Sequence, residues 1–255
     1  MRGIWIIAQN TFKEMIRDRI LYGLLIFALL LIGFSLALGQ LSFTEQVRIS
    51  ANFGFLGIHL STVMLAIFLG GSLVVKEIDK KTILTLLVKP ITRTQFLLGK
   101  SLGLILVMLT GVLGLGSILF LVLWMMSFDV GMGFIWGLLG ILMEATLILS
   151  MSLCFSTFAR PVTVASGVLG LFLIGHWLES LEFFIKKSDS VIYKMVGKLM
   201  VSTFPDLEVF NWRSLVIYHE TVSTKQALFA VSYLVVWVSI FMLIASFIFS
   251  RKDLG

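Results

Sequence analysis

Glu144 is the residue whose type and setting most directly suggest chemistry, because it is the one carboxylate inside the apolar run between Asp129 and Arg160. A charged side chain at the centre of a membrane helix costs about 3 kcal/mol on insertion scales, so such an acid is by default a functional candidate. Two interpretations stay open. Glu144 lies in a translocation path or at a dimer seam, or it is protonated and hydrogen-bonded to a nearby hydroxyl such as Thr146 or Ser150.

Two of the three histidines, His59 and His176, and the twelve methionines raise the question of a metal site. His59 and His176 are expected near the outer ends of separate apolar runs, far apart and with their ring tips in water. A zinc site needs further ligands, and none is evident. Thioethers suit Cu(I), but the methionines form no tight cluster and are typical of lipid-facing positions. We therefore expect no metal site.

Residues 94–101 read TQFLLGKS and contain the end of a P-loop pattern. Thr94 stands where the first glycine is required, and no strand precedes it, so we interpret the stretch as the start of a helix. The patterns HExxH and GxSxG are absent from the sequence, and one cysteine, Cys154, excludes a disulfide framework or a cysteine-based metal cluster. The sequence predicts no catalytic residue and no cofactor of its own.

The elements that position these residues follow from composition. Of 255 residues, 58% are hydrophobic and only 13% are charged, against about 25% charged in soluble domains. A span needs roughly 20 apolar residues, and in lipid the backbone must pair internally, as in a helix. We predict an all-α membrane protein with a single transmembrane domain over residues 1–255 and six spans, at about residues 20–40, 54–75, 101–125, 133–158, 161–179 and 226–250.

Lysine and arginine are concentrated in the segments that share a side with the N-terminus. Most of the other basic residues fall in one long loop, which weighs less in setting orientation. Both termini are therefore expected in the cytoplasm, with the chain in the inner membrane. The net charge of +6 is explained by this anchoring and does not predict nucleic-acid binding.

Two segments outside the spans have helical periodicity. Residues 1–19 are predicted to form an amphipathic helix at the cytoplasmic interface, since extending the first span would bury Lys13, Glu14 and Arg17. Residues 180–225 form a long outer loop with an apolar stripe from Val191 to Leu199. Structureless loops of this length are uncommon without a function, so a small helical cap on the membrane surface is expected.

The linker at residues 76–100 is the most charged stretch and still has an apolar stripe. Pro90 ends its predicted short helix, because proline removes a donor and biases the preceding residue away from α. Two interpretations stay open: the helix inserts into a groove of a cytoplasmic partner, or the loop only fixes topology.

These residues resemble the coupling region of ABC-2 type transporter permeases. The likeness rests on an acid, a Thr, a Leu-Leu pair, a Pro, an Arg and a Gly-Lys opening the third span. Residues 205–211, PDLEVFN, resemble the family's Pro-Asn-Leu-Glu-x-Phe-Asn stretch with Asp206 in place of Asn, and residues 249–254 resemble its aromatic-basic tail. By this resemblance the residues expected to contact an ATPase are Glu77, Lys81, Thr82, Ile83, Leu86, Leu87, Pro90 and Arg93.

The resemblance implies two permease copies, or two related permeases, paired with two cytoplasmic ATPase subunits that hold ATP and Mg²⁺. It leaves the substrate open, since similar chains serve drug or peptide export, ion efflux, copper-site assembly and gliding machinery. An alternative is a non-transporting anchoring protein that links cytoplasmic and extracytoplasmic partners. A further one keeps the ABC architecture but passes motion outward through the 180–225 loop.

Overall fold

The computed structural model describes residues 2–39, 45–79, 92–127, 130–188, 190–217 and 221–251, with the side chains of residues 2, 74–79, 216 and 217 left aside. In these ranges the chain is helical and has no strand, which confirms the predicted all-α class. The elements are α1 Arg2–Met15, α2 Arg19–Gly39, α3 Gln46–Asp79, α4 Arg93–Met125, α5 Gly133–Ser156, α6 Pro161–Lys187, α7 Val191–Thr203, a 3₁₀ turn Glu208–Phe210, α8 Arg213–Ile217 and α9 Thr224–Arg251.

Six of the described helices, α2, α3, α4, α5, α6 and α9, are long and apolar enough to cross a membrane. The most apolar windows of α3 and α5 are 72% and 67% buried, whereas that of α9 is 6% buried. The centre of the bundle is therefore α3 packed on α5. Helices α3, α4 and α6 run beyond the predicted spans, which is compatible with them because a span is only the part of a helix that lies in lipid.

Helix α1 lies against the start of α4. A Cβ on Gly99 would lie 2.7 Å from Ile7 Cβ, and one on Gly103 would lie 2.7 Å from the Ala8 carbonyl oxygen. Lys100, which is buried, places its Nζ 3.6 Å from Glu14 Oε2. The predicted N-terminal helix is thus present, and its buried face rests on the protein's own third span.

The C-terminal end of α9 is also held against the start of α4. Arg93 Nη1 donates to the carbonyl oxygens of Phe249 at 2.6 Å and Ser250 at 3.1 Å, two of the carbonyls that a helix end leaves without intrahelical partners. The rings of Phe96 and Phe249 stack at 6.3 Å. Helix α1, the beginning of α4 and the end of α9 therefore form one packed end of the bundle.

Residues 204–217 fold back between the helices at the other end of the bundle. Leu207 and Phe210 are almost fully buried, and the Leu207 N–H donates to the Gly175 carbonyl of α6 at 3.3 Å. A Cβ on Gly140 of α5 would lie 2.3 Å from the Phe210 carbonyl oxygen, so only glycine admits this approach. The expectation of a purely superficial cap was wrong for this segment, because its apolar side chains fill a gap between α5 and α6.

Helix α7 forms the other half of the loop and is amphipathic, as predicted. Its only buried residue, Gly197, rests on Ile185 at the end of α6. Its apolar stripe is open, with Val191 78%, Ile192 77% and Met195 75% exposed.

Candidate functional site

Three membrane helices bring His59, Glu144 and His176 together. One ligand atom from each lies within 4.8 Å of the others, and the two imidazole centroids are 5.9 Å apart. His59 is 2% exposed and Glu144 is 1% exposed. The expectation that the two histidines are distant and lack a third companion was wrong, because α3, α5 and α6 pack against one another and bring Glu144 to both rings.

Glu144 is paired with imidazoles and not with hydroxyls. Its Oε1 lies 2.9 Å from His59 Nε2 and 3.4 Å from His176 Nε2. The hydroxyls of Thr146 and Ser150 donate instead to carbonyls of their own helix, at 2.7 and 2.6 Å. Of the two interpretations left open for Glu144, the one that pairs it with Thr146 or Ser150 was therefore wrong, because Ser and Thr side chains within a helix readily bond to the preceding turn.

The inserted segment 204–217 completes the site. Arg213 Nη1 lies 2.8 Å from His59 Nδ1, and Arg213 Nε donates to Asn211 Oδ1 at 2.9 Å. Asn211 Nδ2 donates to Glu208 Oε2 at 2.7 Å, and Glu208 Oε1 lies 4.0 Å from His176 Nε2. We call this closed set of side chains the polar ring; its members are His59, Glu144, His176, Glu208, Asn211 and Arg213.

Hydrogen-bond polarity fixes the protons of the polar ring. A guanidinium can only donate, so His59 Nδ1 accepts from Arg213, and His59 carries its proton on Nε2, from which it donates to Glu144. His176 Nδ1 donates to the Phe172 carbonyl at 3.1 Å. His176 Nε2, buried and facing Glu144, has no hydrogen-bond partner among the residues that the structure describes. We assigned these tautomers from the network of contacts.

Burial shapes the electrostatics of the inserted segment. It lowers the pKa of Arg213, while the carboxylates of Glu144 and Glu208 act in the opposite direction; the guanidinium stays charged. Burial also raises the pKa of Asp206, although Asp206 Oδ1 accepts from the Glu208 N–H at 3.0 Å. The Asp206 N–H donates to the Tyr233 hydroxyl at 2.7 Å, which ties the segment to α9.

Two imidazoles and a carboxylate are the donors that Zn²⁺ uses, so the site was tested for fit to a metal. Ligation through His59 Nε2 needs a lone pair there and a proton on Nδ1. That proton would face the Arg213 donor at 2.8 Å. The arrangement therefore fits a hydrogen-bonded ring, and a divalent metal would have to displace Arg213.

The residues predicted to contact an ATPase fall mostly outside the described part of the chain. Glu77 lies within α3, but its side chain is not described, and Lys81, Thr82, Ile83, Leu86, Leu87 and Pro90 lie outside the described residues. Arg93 is described, and it caps the end of α9. Its contact with an ATPase stays a prediction.

The sequence matches a known protein family over nearly its whole length. A family profile with the description "ABC-2 family transporter protein" matches residues 5–254. The chain belongs to this ABC-2 family. It is similar to the "Probable ABC transporter permease protein NosY" of Pseudomonas aeruginosa, at 32% identity over 223 residues that cover 83% of this chain and 78% of the relative. The protein of the same name in Stutzerimonas stutzeri is 30% identical over the same coverage. The resemblance drawn from the linker is confirmed, and the chain is a multi-pass membrane protein of a transporter family.

Sequence reasoning missed most of the polar ring in this ABC-2 protein. Glu144 was a candidate, but His59 and His176 were set aside, Glu208 and Asn211 were used only to recognise the family, and Arg213 was not singled out. One signal was available: three polar side chains are interleaved with aromatic residues between positions 208 and 213. That pattern is typical of a segment with one buried face, which has to pair its polar groups.

Proposed function

We propose that this ABC-2 protein is the permease subunit of an ATP-driven transporter. Two permeases, identical or related, would pair and couple through residues 76–100 to two cytoplasmic ATPase subunits that bind ATP and Mg²⁺. Both termini would lie in the cytoplasm of a bacterial or archaeal cell, with the chain in its inner membrane. The observation that carries the proposal is the family match over residues 5–254 together with the charged linker.

The arrangement of the helices supports coupling over a distance. Helix α3 continues without a break from the polar ring to Asp79, at the edge of the linker. His59 and Glu77 are separated by about 27 Å along its axis, at 1.5 Å per residue. A rigid helix of this kind would carry displacement of the linker directly to the polar ring, where the inserted segment is held.

A second candidate function rests on α7. Its stripe of exposed apolar side chains continues over Val191, Ile192, Met195 and Leu199, each more than 60% exposed. In this version the ATPases do work on an extracytoplasmic protein that docks on α7, and the chain exports no substrate.

Co-purification with the ATPase tests the proposal. The double substitution Glu77→Lys with Leu86→Asp should remove the ATPase from the permease in mild detergent and abolish permease-stimulated ATP hydrolysis. The matched control is Glu182→Lys with Leu199→Asp, which makes the same changes on exposed residues of α6 and α7 and should retain the ATPase.

If the linker variant keeps both the ATPase and its stimulation, the assignment of the linker is wrong. To separate the two candidate functions, the control variant is tested for loss of an extracytoplasmic partner while substrate export is followed in the same cells. Loss of the partner with no measurable export supports the second function.

A further inference from the structure

The polar ring is not balanced in charge. With both carboxyl groups ionised, Glu144 accepts a hydrogen bond from His59 and Glu208 accepts one from Asn211. Arg213 supplies one positive charge, and His59 is neutral because its Nδ1 accepts from Arg213. One negative charge is left over in a largely buried site, where an uncompensated charge is costly.

His176 stands where the missing positive charge is needed. Its Nε2 lies 3.4 Å from Glu144 Oε1 and 4.0 Å from Glu208 Oε1, while its Nδ1 is already occupied by donation to Phe172. A neutral ring would direct the Nε2 lone pair at the oxygens of two carboxylates. A proton on Nε2 makes both contacts attractive and brings the charge of the polar ring to zero.

The remaining charged and titratable groups around His176 favour the same outcome. Asp206 of the inserted segment interacts electrostatically with His176, and Glu179 of α6 interacts electrostatically with Asp206. From α9 the Tyr233 hydroxyl approaches this region, where it accepts from the Asp206 N–H. Arg213 lies on the far side of His59 and already has its acceptors there.

We propose that His176 is a proton-binding site, and that its imidazolium form locks residues 204–217 onto α3, α5 and α6 by pairing with Glu144 and Glu208. Loss of this proton leaves a lone pair against two carboxylates and releases the inserted segment. The lock is built entirely from this chain and does not depend on an ATPase partner.

Imidazole NMR of the full chain tests where the protons lie. The ¹⁵N-histidine-labelled protein is titrated in lipid nanodiscs from pH 8.5 to 5.5, and signals are assigned with His176→Gln, His59→Gln and His219→Gln. We expect His176 to gain a proton on Nε2 while His59 keeps one proton, on Nε2, over the whole range. Protonation of His59 before His176 would overturn the proposal. So would equimolar Zn²⁺ shifting Nε2 of both rings to metal-bound frequencies without removing residues 204–217 from the site.

Hydrogen exchange of the inserted segment tests the lock. After correction for intrinsic rates, amides of residues 204–217 should exchange about tenfold or more slowly at pH 6 than at pH 8.5, the effect of one charge-assisted hydrogen bond. His176→Gln should exchange quickly at both values, and Glu182→Gln, on an exposed residue of α6, should behave as the wild type. Should His176→Gln not fold, Glu208→Gln serves instead and should reduce the pH difference. An undiminished pH difference in either variant contradicts the lock.

Discussion

Glu144 and His59 form a hydrogen bond of 2.9 Å in the most buried layer of the bundle. Such a pair is stable as a unit and costly to break, because removing one partner leaves the other buried and unpaired. The chemistry of the site therefore depends on how the side chains are matched as donors and acceptors.

Glu144→Ala should destabilise the protein by about 3 kcal/mol or more, since it leaves His59 Nε2–H without its acceptor and removes a carboxylate that acts electrostatically on Arg213. Glu144→Gln keeps an oxygen that can accept from His59 and should cost less. Thermal unfolding of the purified protein in one detergent measures both. Glu182→Gln, on an exposed residue, is the control. A Glu144→Ala protein that unfolds at the same temperature as this control would contradict the described pairing.

Asp206→Asn should stabilise the protein at neutral pH. Burial raises the pKa of Asp206 from 3.8, so ionising it costs folding free energy, and the stability that its protonated form contributes is lost as the pH rises through the raised value. Asparagine can still accept the Glu208 N–H. The midpoint of unfolding should favour the Asn variant increasingly from pH 4 to pH 8, and a difference that stays constant or reverses would rule out this explanation.

At the scale of elements, glycines decide which helices and segments approach closely. Gly99 and Gly103 are one turn apart on α4 and admit α1, while Gly140 and Gly175 admit the inserted segment. Small residues allow backbones in a membrane protein to come within van der Waals contact of one another.

Gly103→Leu should displace α1, because its Cβ would lie 2.6 Å from Thr11 Cβ and 2.7 Å from the Ala8 carbonyl oxygen. Overpacking of this kind costs about 1–3 kcal/mol. Tryptic cleavage at Lys13 and Arg17 should therefore become faster. Gly114→Leu is the matched control on the same helix, since a Cβ there meets nothing within 4 Å; equal cleavage in the two variants would show that α1 is not held by this contact.

The elements were largely predictable from the sequence, and the site was not. Runs of apolar residues predict helices in lipid whatever their neighbours, so the six spans and the amphipathic N-terminal helix followed from composition and periodicity. The pairing of His59 with Glu144 spans 85 positions of chain and depends on which faces of α3 and α5 meet. Hydropathy does not encode that choice, because in lipid the helix faces in contact are selected by packing.

The inserted segment was misjudged for a related reason. A long polar loop between two spans predicts a surface position, yet residues 204–217 carry Leu207, Phe210 and Trp212 into the bundle. Their burial is possible because Gly140 and Gly175 leave room, and that complementarity becomes visible only when the helices are assembled.

At the scale of the whole molecule, α3 joins two ends with different properties. Towards Asp79, α3 leads into the charged linker, and its other half carries His59 of the polar ring, which the inserted segment completes. A transporter driven by a separate ATPase needs a mechanical connection of this kind, in which two discrete arrangements at a remote site are biased by one rigid element.

Photo-crosslinking from the linker in native membranes tests the central claim, that the linker receives an ATPase, most directly. A photoreactive amino acid replaces Leu86, and the matched control places it at the exposed Leu199 of α7. The account predicts a crosslink from position 86 to a nucleotide-binding ABC subunit and none from position 199. Position 86 would contradict the account if it formed no such crosslink, or if a membrane-impermeant reagent reached it from outside the cell.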